Sequence, residues 1–408
     1  MIKPEILAPA GDEERLRAAL LYGADAVYLA MTQYGMRAAS QNFSETALVS
    51  AVETAHAAGA RVYLTCNILP RNGEIDRLPA YFEAAQAAGV DALIAADLGV
   101  IGLARRLAPS LPLHVSTQLG VVNYQTAREL YDMGAERVVL ARELSLDEIA
   151  EIRAKTPAEL ELECFVHGAM CMSVSGRCLI SNYLAGRDAN HGDCAQPCRW
   201  LYEVIEPRRP DARLTVEETR DGSFLFNAND LNMIEYVPQL AVAGISSFKI
   251  EGRAKAAYYA AVTTNAYRAA VDGWEASGFA ADYRPAPWIV EELQKVSHRP
   301  YSTGFYFSTP GQNLSSGGYV RAYQVAAVAE SWADGRLTVR QRNRFFVGEE
   351  LEVLEPGVPP FTLAVTALTD EENTPIESAP HPTMRCHIPC DRPVRAGSLL
   401  RRPNTELG

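Results

Sequence analysis

Along most of the chain, short apolar runs alternate with stretches of helical spacing. Five times a helix-like stretch ends in Gly and an apolar run follows. The instances are Tyr22-Gly23 before Ala26-Val27-Tyr28-Leu29, Ala58-Gly59 before Val62-Tyr63-Leu64, and Ala88-Gly89 before Ala92-Leu93-Ile94. Met133-Gly134 before Val138-Val139-Leu140 and Ala243-Gly244 before Phe248-Lys249-Ile250 complete them. Gly after a helix takes the left-handed C-terminal conformation without a Cβ penalty. Continuously apolar strands this short are those buried on both faces, as in parallel sheets. Ile6-Leu7-Ala8, Leu113-His114-Val115 and Leu162–Val166 bring the strands to eight. Eight strands alternating with helices predict an α/β fold, a (β/α)8 TIM-type barrel. An open doubly wound sheet shares the alternation, but Ala8-Pro9-Ala10-Gly11 is too short for a dinucleotide fingerprint after the first strand.

The alternation breaks at about 169–227, a Cys-rich insertion after strand seven. An insertion there lies on the C-terminal face, where barrels build active sites. It holds strand-like pieces at Leu201–Ile205 and Leu214–Glu217. Asp230 is the expected N-cap of a helix over Leu231–Leu240. After Trp274, Pro285, Pro287, Tyr301, Gly304, Tyr306 and Pro310 mark a connector. Short strand signals follow at Tyr323–Val328, Leu337–Arg340, Leu351–Leu354, Thr362–Val365 and Ser398–Arg401. They predict a small C-terminal all-β barrel domain. The expected organisation is a barrel over 1–280, a connector over 281–320 and the β-domain over 321–408.

Composition narrows the class. With 408 residues, 48% hydrophobic and 22% charged, the chain is neither disordered nor collagenous. No apolar run approaches the roughly 18 residues of a membrane span. Met1-Ile2-Lys3-Pro4-Glu5 lacks the apolar core of a signal peptide, so a cytoplasmic location is expected. The net charge of −12 counts against nucleic-acid binding over the whole surface but leaves room for a local basic patch.

The cysteines are placed unevenly. Cys171, Cys178, Cys194 and Cys198 fall in one segment, with six, fifteen and three residues between successive members. Thiolates select zinc, Cu(I) or iron–sulfur. Structural zinc sites favour tight CxxC pairs, which are absent here, and the irregular spacing is more typical of a 4Fe-4S cluster. The plainer alternative is that cytosolic cysteines are small buried hydrophobes. Cys66, Cys164, Cys386 and Cys390 are read that way.

The run Glu163-x-Phe165-x-x-Gly168-Ala169-Met170-Cys171-x4-Gly176-x-Cys178-x-Ile180-Ser181 resembles the signature of the collagenase-like peptidases of unknown catalytic type, the thirty-second "U" peptidase family. Ile6–Gly11, Ala24–Tyr28, Ser116-Thr117-Gln118, Arg142-Glu143-Leu144 and Lys249–Arg253 resemble its other blocks. Ser302–Phe305 and Arg342–Phe345 resemble its C-terminal domain, so the likeness spans nearly the whole chain. The resemblance implies a barrel, a small β-domain and, in studied subgroups, a 4Fe-4S cluster used in oxygen-independent hydroxylation. One subgroup makes 5-hydroxyuridine at the tRNA wobble position with prephenate as hydroxyl source. It implies tRNA, through its anticodon region, as partner and a small carboxylate as co-substrate. Another subgroup acts in anaerobic ubiquinone biosynthesis, and a homo-oligomer or a paralogous partner is admitted. Cys194-x3-Cys198 fits the tRNA subgroup, and the absence of Cys from Phe226–Met233 leaves Cys198 as fourth ligand beside Cys171, Cys178 and Cys194.

Other candidates sit where strands end. His167 ends the seventh strand and is weighed as a catalytic group against a hydrogen-bonding neighbour of the cluster. Lys249 and Glu251 alternate toward the barrel mouth as catalytic candidates, with a buried structural pair as the alternative. Arg142, Gln118 and Arg253, with Asn67 and Glu143, are candidates for binding, an Arg holding a carboxylate such as prephenate's in bidentate fashion. Arg177, Arg187, Arg199 and Trp200 form a local basic patch around the cysteines. Arg340, Arg342 and Arg344 alternate along a probable strand beside Phe345 and Phe346 as a second RNA-facing surface. The alternative function is a collagenase-like peptidase, with Cys171 and His167 imagined as nucleophile and base, although neither HExxH nor GxSxG occurs. Ser145 with Glu148 reads as a capping box.

Overall fold

The computed structural model describes residues 3–35, 42–171, 178–200, 218–219, 222–223, 228–308 and 319–404. The strand-like pieces expected at Leu201–Ile205 and Leu214–Glu217, and Arg177, lie outside them. Seven parallel strands follow one another: β1 (Glu5–Pro9), β2 (Ala26–Leu29), β3 (Arg61–Cys66), β4 (Ala92–Ala95), β5 (Leu113–Val115), β6 (Arg137–Val139) and β7 (Glu161–Gly168). Ser247–Ile250 then pairs in parallel with both β1 and β7 and closes an eight-stranded ring. The predicted TIM-type barrel is the fold. The five helix-ending glycines, Gly23, Gly59, Gly89, Gly134 and Gly244, all have φ between 75° and 95°. A side chain is strained there, which is why this signal repeats.

Leu7, Ala26, Tyr28, Tyr63, Ala92 and Ile94 pack as one cluster inside the ring. The opposite strand faces join the surrounding helices in the main core. Strands buried on both faces account for the unbroken apolar runs.

One expected helix is replaced. Asp230–Asn232 is a strand, antiparallel to the end of β7 and parallel to Tyr301–Ser302. Asp230 caps nothing: its carboxylate accepts from the Arg299 backbone at 3.1 Å and faces the Arg299 guanidinium at 3.5 Å. Asn232 accepts from Ile234 N at 3.1 Å instead, and the helix begins only at Val237. The stretch expected as a connector thus includes a strand of the barrel's sheet and a helix, Pro287–Glu292, against the long helix Ala257–Ala276.

The C-terminal domain is a seven-stranded antiparallel sheet curled into a half-barrel. The five expected strands are present as Tyr323–Ala333, Arg336–Gln341, Glu350–Leu354, Phe361–Ala364 and Leu399–Pro403. Thr369–Asp370 and Arg385–Pro389 were not anticipated, being short or mixed in polarity. The domain docks on the barrel through a buried ion network. Arg401, fully enclosed, meets Glu292 at 2.5 Å and Glu352 at 2.6 Å, and Lys295 bridges both carboxylates. Tyr22 Oη donates to Leu354 O at 2.8 Å across the same seam.

Candidate active site

Charged side chains enter the barrel at two depths. Near the lower end, Glu5 and Ser247 begin their strands and Arg137 begins β6. Arg137 Nη1 donates to Glu5 at 2.6 Å and to Glu163 at 3.1 Å. Ser247 Oγ donates to Glu5 at 2.9 Å, and Tyr63 Oη to Glu5 at 2.7 Å. Burial alone would raise the Glu5 carboxyl, but Arg137, Tyr63 and Arg61 together hold it below the usual carboxylate range.

Lys249 belongs to this layer. Its register partners are Leu7 and Phe165, its Nζ meets Glu163 Oε1 at 2.7 Å, and it is 5% exposed. The expectation that it reaches the mouth is corrected: it lies deeper, and Glu163 rather than Glu251 is its partner. Sequence reasoning passed over Glu5, Arg137 and Glu163. Their only signal is a charge at an inward register of otherwise apolar strands. Glu251 sits higher, accepting from Tyr28 Oη at 3.2 Å, while the Tyr28 ring lies 4.7 Å from Lys249 Nζ.

His167 is turned away from the mouth. Phe165 pairs with Lys249, yet the next pair is His167 with Ile250, so Val166 is an extra residue, a β-bulge. The bulge puts His167 on the face of Ile250, against the outer helix. Tyr259, Tyr267 and Tyr301 enclose it at 6.0, 5.6 and 5.4 Å between ring centroids. Burial, with His298 nearby, pulls its imidazole down to about 3. A neutral, 1% exposed ring behind the barrel does not face Cys171, which is exposed. The imagined dyad is not assembled. Gly168 follows with φ 110°, and a Cβ there would sit 2.6 Å from Glu251 O, so this strand end requires glycine.

The rim is more open. The Arg142 guanidinium lies 3.7 Å over the Phe165 ring, and Nη1 donates to Ala169 O at 2.6 Å, fixing the start of the insertion. Gln118 stands half-buried on a 3-10 turn after β5. Its backbone N–H donates to the buried Ser116 Oγ at 3.3 Å, and Asn67 Nδ2 reaches the same oxygen at 3.4 Å. Arg253 is only 3% exposed, with Nη1 donating to Thr65 Oγ1 at 3.0 Å. Its guanidinium lies close to Gly35, in the stretch after β2.

The insertion is pinned over the loop after β3. His191 Nε2 meets Glu74 at 2.9 Å, Leu69 N donates to Asn190 O at 3.2 Å, and Asn190 Nδ2 donates to Cys178 O at 2.8 Å. Buried Ser181 accepts from Ala195 N at 2.9 Å and ties the Cys178 half to the Cys194 half. The eight thiols divide by surroundings. Cys171 is exposed and Cys178, Cys194 and Cys198 are half-exposed, whereas Cys66, Cys164, Cys386 and Cys390 are buried. Burial pushes the Cys164 and Cys386 thiols up to about 12. Four accessible thiols on one insertion fit the donor chemistry of an iron–sulfur cluster in kind and number. Among the described residues, no three Cys, His, Asp or Glu side chains are gathered closely enough to hold a metal ion.

The second expected RNA surface is not a free basic face. The strand ends at Gln341, so only Arg340 lies on it. Arg340 pairs with Glu330 at 2.5 Å and Arg342 with Glu14 at 2.8 Å, while Arg344 reaches Ser378 Oγ at 3.3 Å. The Ser145–Glu148 capping box forms as expected. No helix of the described residues is long and apolar enough to cross a membrane.

Comparison with known proteins adds the family. Residues 11–316 match the model of peptidase family U32, and residues 321–401 match its C-terminal domain. Tyr22, Leu354 and the rim residues above all lie within these matches. A tRNA hydroxylation protein P of Escherichia coli (strain K12) is 35% identical, over 98% of this chain and 97% of its own length. The 23S rRNA 5-hydroxycytidine C2501 synthase of the same strain is 36% identical, over 72% of this chain and 44% of its own length. A collagenase of Porphyromonas gingivalis (strain ATCC BAA-308 / W83) is 30% identical, over 98% of this chain and 97% of its own length. The chain belongs to peptidase family U32.

Proposed function

We propose that this chain hydroxylates RNA, as an iron–sulfur protein that converts tRNA wobble uridine to 5-hydroxyuridine without oxygen, with prephenate as hydroxyl source. The observation that carries the reading is the end-to-end similarity, at 35% identity, to a relative named for tRNA hydroxylation. A second relative, named for making 5-hydroxycytidine in rRNA, supports the same class of reaction. The site offers groups that suit it. Arg142, stacked on Phe165 at the rim, presents a planar fork suited to a carboxylate. Gln118, Asn67 and Glu251 add neutral and acidic hydrogen-bonding groups around the same opening. Cys171, Cys178, Cys194 and Cys198 would hold the 4Fe-4S cluster, which when bound supplies redox or Lewis-acid chemistry at the mouth.

Nucleoside mass spectrometry tests the reaction. In a strain lacking this chain and any paralogue of its family, 5-hydroxyuridine-type nucleosides should vanish from tRNA, and their persistence would refute the reading. Anaerobic purification tests the cluster separately. A brown, iron-containing protein is expected, and a colourless one with stoichiometric zinc would remove the cluster from the account.

A further inference from the structure

The chain between Cys178 and Cys194 closes on itself before it meets the barrel. Arg187 Nε donates to Asp193 Oδ1 at 2.8 Å and Asp193 N to Asp188 O at 3.0 Å, so the ends of residues 187–193 are joined. Inside this turn the Asp188 carboxylate accepts from Asn190 N at 3.0 Å. Asn190 then bonds in two directions. Its Nδ2 donates to Cys178 O at 2.8 Å, and its O accepts from Leu69 N, in the loop after β3, at 3.2 Å. His191 reinforces the second direction, with Nε2 2.9 Å from Glu74 Oε1 and Nδ1 3.3 Å from Leu69 O. The receiving loop is itself fixed: Glu74 O accepts from Tyr34 Oη at 2.8 Å, and Tyr34 O accepts from the rim residue Asn67 N at 3.0 Å. Apolar burial does little here. Of the apolar side chains described between Cys178 and Trp200, Ala189 and Pro197 alone are buried, so hydrogen bonds decide where the stretch sits.

Resting on the cluster reading above, we propose that Asn190 and the His191–Glu74 pair are positioning residues, a clamp that holds Cys178 and Cys194 at the barrel mouth as ligands of the cluster. None of the three would ligate iron. Asn190 acts through the Cys178 backbone, and Glu74 acts through His191. Fifteen residues separate the two thiols, and a free loop of that length would have to be ordered when the metal binds. The clamp orders it beforehand, as hydrogen-bonding partners beyond the ligands do at metal sites generally. Ser181 Oγ, accepting from Ala195 N at 2.9 Å, completes the closure next to both cysteines.

The test uses the full-length protein purified without oxygen. Iron release to a chelator is followed by the loss of visible absorbance, and hydrogen exchange over residues 178–195 is read by mass spectrometry in the iron-free protein. Asn190→Asp keeps the side-chain shape but removes the donor to Cys178 O, and Glu74→Ala removes the partner of His191. Each should release iron roughly tenfold faster than wild type and exchange faster over the same residues. Glu74→Gln retains an oxygen for His191 Nε2 and should keep both wild-type rates. Thermal unfolding should be unchanged in all three, which separates a displaced insertion from a lost fold. Wild-type iron release in Asn190→Asp and Glu74→Ala overturns the clamp, as does faster release without faster exchange, or a defect in Glu74→Gln equal to that in Glu74→Ala. A wild-type protein that takes up no iron overturns the cluster reading and the clamp with it, whereas an iron-bound wild type with unaffected variants overturns the clamp alone.

Discussion

The two ends of the barrel treat charge in opposite ways. At the lower end Arg137, Glu5, Glu163 and Lys249 answer one another at 2.6 to 3.1 Å and are almost wholly enclosed. At the rim Arg142 has stacked one face on Phe165 and given Nη1 to Ala169, and it remains half-exposed. The thiols follow the same division. Cys66 and Cys164 lie in strands of the barrel wall, while Cys171 and Cys178 flank the start of the insertion above it. Residue type alone therefore does not mark a site. What marks it is whether the fold has already used the group's hydrogen-bonding capacity.

The sharpest way to break this comparison is to remove one member of the closed end. Arg137→Ala removes the buried cation shared by the Glu5 and Glu163 carboxylates and should cost about 3–5 kcal/mol in denaturant unfolding. A loss below about 1 kcal/mol would mean that the lower layer is not closed. Next in size is the pH response of His167. Its imidazole is held near 3 in the fold, against about 6.5 when unfolded, so the unfolded chain takes up a proton first. Stability should therefore fall as pH drops below about 6.5, and His167→Phe should flatten that slope. An unchanged slope would place the ring in water rather than behind the barrel. Ser145→Ala, at the helix start just after Arg142, sets the scale of a local defect at about 1 kcal/mol. Smallest is Arg142→Ala, which should change stability by less than about 1 kcal/mol while lowering hydroxylation at least tenfold. A stability loss equal to that of Arg137→Ala would make the rim another structural layer.

What was legible in the sequence follows from range. The eight barrel strands could be read because burial on both faces writes a largely apolar run at each, and a Gly after five of the helices marks the boundary. The Ser145–Glu148 box and the clustering of four cysteines are equally local. Groups set by distant pairing were not legible. Lys249 finds Glu163 across 86 positions, and Arg342 finds Glu14 across 328. The bulge at Val166 exists only in the pairing of β7 with Ser247–Ile250, and it alone decides that His167 leaves the mouth. Asp230 lost its expected cap because Arg299 claims the carboxylate.

The most direct measurement joins both halves of the comparison. A strain lacking this chain and its family paralogues is complemented with wild type, with Cys178→Ser from the rim, or with Cys390→Ser from the buried set. Wobble 5-hydroxyuridine-type nucleosides are then quantified by mass spectrometry. The account predicts that wild type and Cys390→Ser restore them and Cys178→Ser does not. Full restoration by Cys178→Ser, or nucleosides that never disappeared, would contradict it.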